Sequence, residues 1–194
     1  MELTLIIFLS YFLGSIPFGV VVARSQKINL QEHGSGNIGA TNAGRVLGKK
    51  AGLITLTGDV LKGIAAVAIA DIWLGTSIAI ALAGLFAFIG HLFSVFLKFK
   101  GGKGVATGIG ILAYAMPFTA LSAIGIFGAS LWVCRYVSLS SILASLSAPV
   151  FALFFHEPSP YVYLSTIVSL LIIARHRSNI ERLVAGTESK FAQK

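Results

Sequence analysis

The stretch from Val105 to Cys134, VATGIGILAYAMPFTALSAIGIFGASLWVC, runs for 30 residues without one Asp, Glu, Lys or Arg, and Pro117 stands near its middle. As one helix it would be about 45 Å long, against a bilayer hydrocarbon core of about 30 Å. Proline lacks the N–H that an interior helical position needs and clashes with the preceding turn. The stretch therefore reads as two helices parted at Pro117. The rest of the chain has the same character. Its 194 residues are 56% hydrophobic and only 11% charged, against about a quarter charged in soluble domains. Mean hydropathy is +0.86. This composition excludes a disordered chain, a basic nucleic-acid-binding domain and a small disulfide scaffold. The single cysteine, Cys134, has no partner for an internal disulfide.

Five further segments follow from charge and hydropathy. Leu3–Ala23 is uncharged. No basic residue precedes it and Arg24 follows it at once, so it reads as a membrane helix rather than a cleaved signal. Ala51–Ala70 is apolar apart from Asp59 and Lys62, and Ile78–Leu97 contains His91. Val105–Met116, Pro117–Cys134, Tyr136–Phe155 and Pro160–Ala174 complete the set. Charge decides the count. With seven crossings and the N-terminus outside, the inside loops and tail hold Arg24, Lys27, Arg45, Lys49, Lys50, Lys98, Lys100, Lys103, Arg135, Arg175, Arg177, Arg182, Lys190 and Lys194. The outside segments hold only Glu2, Asp71 and Glu157. A five-crossing arrangement strands Arg135 outside, against the positive-inside bias. The expected fold is all-α: one polytopic membrane helical bundle over residues 1–194, with seven spans, the N-terminus outside and the C-terminus cytoplasmic. Val105–Met116 would span only about 18 Å, so it needs shielding by other helices or a thinned bilayer.

Three polar patches fall on the inside face of that arrangement. Ser35–Arg45 combines glycines, hydroxyls, amides and a guanidinium. Glycines admit an anion to backbone N–H groups, and arginine grips phosphate with two bonds. Lys100–Thr107 places Gly101 and Gly102 between two lysines, with a helix expected to start just beyond, where an anion is favoured. The third patch, His176 to Glu188, supplies His176, Asn179, Arg177 and Arg182. Two motif matches fail on context. Gly34–Gly39 fits G-x-G-x-x-G with Asp59 downstream, but no strand precedes it. Gly102-Lys103 lacks the hydroxyl residue and first glycine of a P-loop. Asp59 and Lys62 are three apart on one helix face and are expected to pair. His91 reads as a packed or helix-bonded histidine. No His, Cys and carboxylate cluster has metal spacing, and no cofactor, nucleic acid or obligate protein partner is expected.

Read together, S-G-N-I-G-A-T-N-A-G-R at Ser35–Arg45, G-G-K-G-V-A-T at Gly101–Thr107 and H-R-S-N-I-E-R-L-V-A-G-T-E at His176–Glu188 resemble, in order, the three motifs of the bacterial acyl-phosphate:glycerol-3-phosphate acyltransferases, the PlsY family. The resemblance spans almost the whole chain and extends to Gly58-Asp59, Lys62-Gly63 and Gly90-His91. It implies a multi-pass enzyme of the bacterial cytoplasmic membrane with its active site at the cytoplasmic face. The reaction would carry a fatty acyl group from acyl-phosphate to the 1-hydroxyl of sn-glycerol 3-phosphate, giving lysophosphatidic acid and phosphate. Glycerol 3-phosphate, acyl-phosphate and membrane lipid are the implied partners. The second-motif glycines, Gly101, Gly102 and Gly104, match positions associated with glycerol 3-phosphate. Ser35, Arg45, His176 and Asn179 match positions important for activity, and Glu188 one tied to structural integrity.

The residues suit that chemistry on their own terms. Ser35, Asn37, Thr41, Asn42, Arg45, Gly101, Gly102, Gly104 and Arg177 are the candidate substrate-binding residues. Lys103, His176 and Asn179 are the candidate catalytic residues, and Asp59, Lys62 and Glu188 the structural ones. His176 and Glu181 are five apart, so a helix would turn them away from each other, which disfavours a His–carboxylate dyad. An acyl-phosphate already carries a good leaving group, which favours direct attack with no acyl-enzyme. A transporter of a small organic phosphate is the alternative, although the polar residues gather at one interface rather than at the midplane. The topology is tested in a Cys134→Ser background. Gly48→Cys and Arg135→Cys are expected to be shielded from impermeant thiol reagents in intact cells, and Ser159→Cys to be labelled. Outside labelling at position 135 would favour five crossings.

Overall fold

The computed structural model describes residues 1–191; Lys194 lies outside the described residues. Among them every regular element is helical and there is no strand. The chain forms two compact units, Met1–Ala115 and Met116 onward. The first contains α1 (Glu2–Ser15), α2 (Phe18–Ser25), α3 (Ala40–Leu47), α4 (Lys49–Leu74), α5 (Ser77–Leu92) and α6 (Val105–Ala115). The second contains α7 (Pro117–Cys134), α8 (Val137–Phe154), α9 (Ser159–Arg175) and α10 (Arg177–Val184). The uncharged stretch is split where its proline stands: α6 ends at Ala115 and Pro117 is the first residue of α7, the position where a missing N–H costs nothing. Among the described residues five segments are long and apolar enough to cross a membrane: Glu2–Ser25, Lys49–Leu74, Ser77–Leu97, Pro117–Cys134 and Val137–Phe154. Val105–Ala115 and Ser159–Arg175 are shorter apolar helices.

Two expected spans are interrupted. Leu3–Ala23 is not one helix: Pro17 has no N–H to return to Leu13, whose carbonyl is taken instead by the Ile16 N–H at 3.2 Å. The break frees the carbonyls of Ser15 and Ile16. Both are recaptured by side chains, Ser94 Oγ donating to Ser15 O at 2.6 Å and Lys62 Nζ to Ile16 O at 2.7 Å. The third expected span, Ile78–Leu97, also ends early. α5 stops at Leu92, and Val95–Leu97 forms a single 3-10 turn.

Small residues set the helix spacing in the first unit. Gly14 and Gly90 bring α1 and α5 together, lying against Ala87 O and Tyr11 O. Gly63 and Gly110 do the same for α4 and α6, against Thr107 O and Val60 O. A methyl group at any of these would overlap backbone, so each pair of helices is held at glycine-contact distance. The second unit uses serine. Ser138, Ser140, Ser141 and Ser145 of α8 and Ser165 and Ser169 of α9 are buried. The hydroxyls of Ser140, Ser141, Ser145 and Ser165 return to carbonyls of their own helices. That satisfies polar groups where no water would. Large apolar residues face outward instead, Ile72, Trp132, Val150 and Leu170 among them.

Inside the first unit, Asp59 and Lys62 pair at 2.8 Å, both side chains almost wholly buried. The expected i,i+3 pair is therefore formed, and Lys62 additionally caps the Pro17 break. Removing one member of a buried pair leaves an uncompensated charge, at a cost of about 3–5 kcal/mol, whereas removing both is often far cheaper. Lys62→Met is accordingly expected to lower the unfolding midpoint in detergent more than Asp59→Asn/Lys62→Met does. Equal losses in the two proteins would show that the ion pair itself contributes little.

Candidate active site

The first motif is a loop organised from within. Asn42, in the first turn of α3 and 2% exposed, shares its amide hydrogens among the carbonyls of Leu30, His33 and Asn37 at 3.3, 3.0 and 2.9 Å. Its Oδ1 accepts from the Ser35 N–H at 2.9 Å. Asn37 Oδ1 accepts from the Gly39 N–H at 2.8 Å, just ahead of α3. Both asparagines, grouped above with the substrate ligands, thus shape the loop. The outward surface belongs to Ser35, Thr41 and Arg45, all exposed. Gly34 and Gly36 take φ of +62° and +68°, a region L side chains avoid, and the tight turns they make present Ser35 at the tip.

The second motif lies against the end of α5. The Gly101 and Gly102 N–H groups donate to Leu92 O and His91 O, each at 3.1 Å. Both donors thus complete the α5 C-terminus, which would otherwise leave unpaired carbonyls. The expectation that these two N–H groups form an anion cradle is revised on that ground. The glycines are needed because side chains there would meet His91 O and the His91 ring. Lys103 follows, partly buried, then Gly104 at φ +84° against the Phe88 ring, and α6 begins at Val105 as the spacing predicted. Gln31 Nε2 donates to Lys100 O at 3.3 Å, tying the first-motif loop to the second. Sequence reasoning had no signal for Gln31.

In the second unit, His176 breaks the run between α9 and α10. His176 and Asn179 are the N-cap and third residue of a new helix rather than part of a continued α9, with the Asn179 N–H bonded to His176 O at 2.8 Å. His176 is 3% exposed, and its Nδ1 lies 2.8 Å from Ile172 O. A carbonyl can only accept, so Nδ1 carries a hydrogen. Glu181 pairs with Arg177 at 3.0 Å on the exposed face of α10. Glu188 accepts from Ser138 Oγ and Asn179 Nδ2, both at 2.6 Å, and from Arg182 Nε at 2.7 Å. These bonds fix α10 to the start of α8. Among the described residues no group of His, Cys, Asp or Glu is placed to hold a metal ion.

The model of the glycerol-3-phosphate acyltransferase family matches residues 4–186. The chain belongs to that family. It is 48% identical to the glycerol-3-phosphate acyltransferase of Trichlorobacter lovleyi over 185 residues, 94% of each chain, and 43% identical to that of Bacillus subtilis over 194 residues, 98% of each. It superposes on a crystal structure of PlsY, an integral membrane glycerol 3-phosphate acyltransferase, in its glycerol 3-phosphate form. The TM-score is 0.95, the identity 39%, and the match covers 99% of this chain and 96% of the other. The lysophosphatidic acid form of PlsY gives 0.92 at 40% identity, with the same coverage. This acyltransferase is an all-helical integral membrane protein.

Partial burial raises the Glu188 carboxyl, but hydrogen bonds from Ser138, Asn179 and Arg182, with the Arg182 charge, outweigh it and hold the group below its ordinary value. The folded carboxyl binds its proton less tightly than the unfolded chain does. Its contribution to stability is therefore complete above the ordinary carboxylate value and is lost as pH falls through the depressed one. Hydrogen exchange of the α10 amides, corrected for the intrinsic rate at each pH, is expected to quicken below about pH 4.5 in the parent acyltransferase. In Glu188→Gln it should already be faster at neutrality and nearly flat with pH; an unchanged acid limb in that variant would place the titrating group elsewhere.

Proposed function

We propose that this acyltransferase takes its acyl group from acyl-phosphate and delivers it to the 1-hydroxyl of sn-glycerol 3-phosphate at the cytoplasmic face of the bacterial inner membrane. Lysophosphatidic acid and phosphate are the products, and the whole chain serves as one catalytic domain. The observation that carries this reading is the likeness to PlsY over 99% of the chain, in a form named for glycerol 3-phosphate and another for lysophosphatidic acid. The three motifs, whose pattern resembles the acyl-phosphate-dependent enzymes, supply the donor. Seven crossings with the N-terminus outside would put all three motifs on the cytoplasmic side.

The reaction needs no acyl-enzyme. The glycerol hydroxyl oxygen attacks the acyl carbonyl carbon. A C–O bond forms, the carbonyl becomes an oxyanion, and on its collapse the bond to the phosphate oxygen breaks. The hydroxyl proton leaves with the departing phosphate. Arg45, with Ser35 and Thr41, binds glycerol 3-phosphate through charge-assisted bonds, and Arg177 offers a further cation. Lys103 contacts the phosphate of glycerol 3-phosphate, and with the backbone N–H groups at the start of α6 it stabilises charge developing on the oxyanion and the departing phosphate. Asn179, anchored by Glu188, is the neutral donor. His176, oriented by Ile172 O, positions the hydroxyl while the departing phosphate takes its proton; positioning supplies most of the acceleration.

Purified protein in detergent is expected to convert labelled glycerol 3-phosphate with acyl-phosphate but not with acyl-CoA. Arg45→Ala and Lys103→Ala should raise the KM for glycerol 3-phosphate by the equivalent of about 2–4 kcal/mol. His176→Asn should keep part of the activity and the parent pH profile. Equal use of acyl-CoA would overturn the donor assignment. A rate limb near neutrality that vanishes only in His176→Asn, with substrate ionisation controlled for, would make the histidine a general base.

A further inference from the structure

His91 takes no part in the chemistry described above, yet the second motif is assembled around it. It sits in the last turn of α5, 4% exposed. Its carbonyl receives the Gly102 N–H at 3.1 Å, and the Gly101 N–H goes to the next carbonyl, Leu92 O. Its Nδ1 lies 3.1 Å from Thr107 Oγ1 in the first turn of α6 and 3.6 Å from Asp59 Oδ1 in α4. Its Nε2 edge lies against Gly102, where a Cβ would overlap the ring. One residue therefore touches the chain on both sides of Lys103, at Gly102 before it and at Thr107 after it. Asp59 is fixed in turn by Lys62, and Lys62 by the free carbonyl of Ile16 at the Pro17 break.

We infer that His91 is the positioning residue for Lys103: its ring and carbonyl set the path of Gly101–Thr107 and hence where the ammonium group meets the phosphate of glycerol 3-phosphate. This rests on the reading of Lys103 as a phosphate-contacting residue. Displacing a contacting group by about 1 Å from a distance lowers the rate by up to about 10²-fold, so an imidazole locked between Asp59, Thr107 and Gly102 is a sensitive point. Gly102 has a purpose of its own here, because only a residue without a side chain leaves room for the ring.

The test uses full-length protein in detergent, with folded fraction measured for each variant. His91→Asn retains a polar group near the Nδ1 position and empties the space beside Gly102. Thr107→Val removes the hydroxyl at constant volume. Both are expected to raise the KM for glycerol 3-phosphate by about tenfold or more while that for acyl-phosphate stays within about twofold, the signature of one displaced binding group. Gly102→Ala is expected to be severely impaired, and His91→Asn/Gly102→Ala to recover part of that loss, because the methyl then occupies the vacated space. The inference is overturned if folded His91→Asn keeps the parent KM for glycerol 3-phosphate. It is equally overturned if losses follow the folded fraction alone, if the double variant is no better than Gly102→Ala, or if neither His91→Asn nor Thr107→Val folds, since the network would then be purely structural. A parent protein that does not acylate glycerol 3-phosphate would remove the functional reading itself, and this inference with it.

Discussion

The buried ion pair between Asp59 and Lys62 is the constraint around which the first unit is arranged. Neither charge can be left without partners in an apolar interior, where an isolated ion is costly by many kcal/mol. Lys62 answers this by holding both Asp59 and the carbonyl that Pro17 leaves without a helical partner. A defect in α1 and a charge in α4 thereby satisfy each other. Asp59 faces His91 as well, at 3.6 Å, and His91 faces the second motif. Through one connected set of polar contacts, α4, α5 and α6 and the chain at the end of α1 are fixed in mutual register.

Glycine serves two distinct purposes in this acyltransferase. At Gly14, Gly63, Gly90 and Gly110 it is a contact surface, allowing backbone to approach backbone where water-driven association is absent. At Gly34, Gly36 and Gly104 it supplies positive φ, which turns the chain so that Ser35 and Lys103 are presented beside α3 and α6. Gly101 and Gly102 resemble an anion cradle in sequence but finish α5 in three dimensions. A glycine-rich motif alone does not distinguish a nest of free donors from a helix cap, because both require the same absence of a side chain.

Carboxylate placement divides the third motif into an inner and an outer set. Glu188 gathers Ser138, Asn179 and Arg182, whereas Glu181 pairs with exposed Arg177. His176 Nδ1 lies 2.8 Å from the backbone carbonyl of Ile172. That contact orients the imidazole ring, in keeping with a positioning role in an attack on an activated acyl donor.

Much of the fold was legible in the residues themselves. Hydropathy marked the apolar helices, Pro117 divided the long uncharged stretch, and i,i+3 spacing paired Asp59 with Lys62, since each depends only on local order along the chain. The three motifs named the family because their residue types and spacings are written in the sequence. The break at Pro17 is signalled by the proline alone, and hydropathy does not mark it, because the apolar run continues on both sides. Tertiary structure alone decided the rest. Asn42 and the two N–H groups of Gly101 and Gly102 turn inward because their partners, Leu30, His33, Leu92 and His91, are brought to them by folding. His176 begins a new helix rather than continuing the old one. Hydrogen-bond partnership is a property of positions in space, and residues 16 and 62, or 91 and 107, meet only when helices far apart in sequence pack at glycine-contact distance.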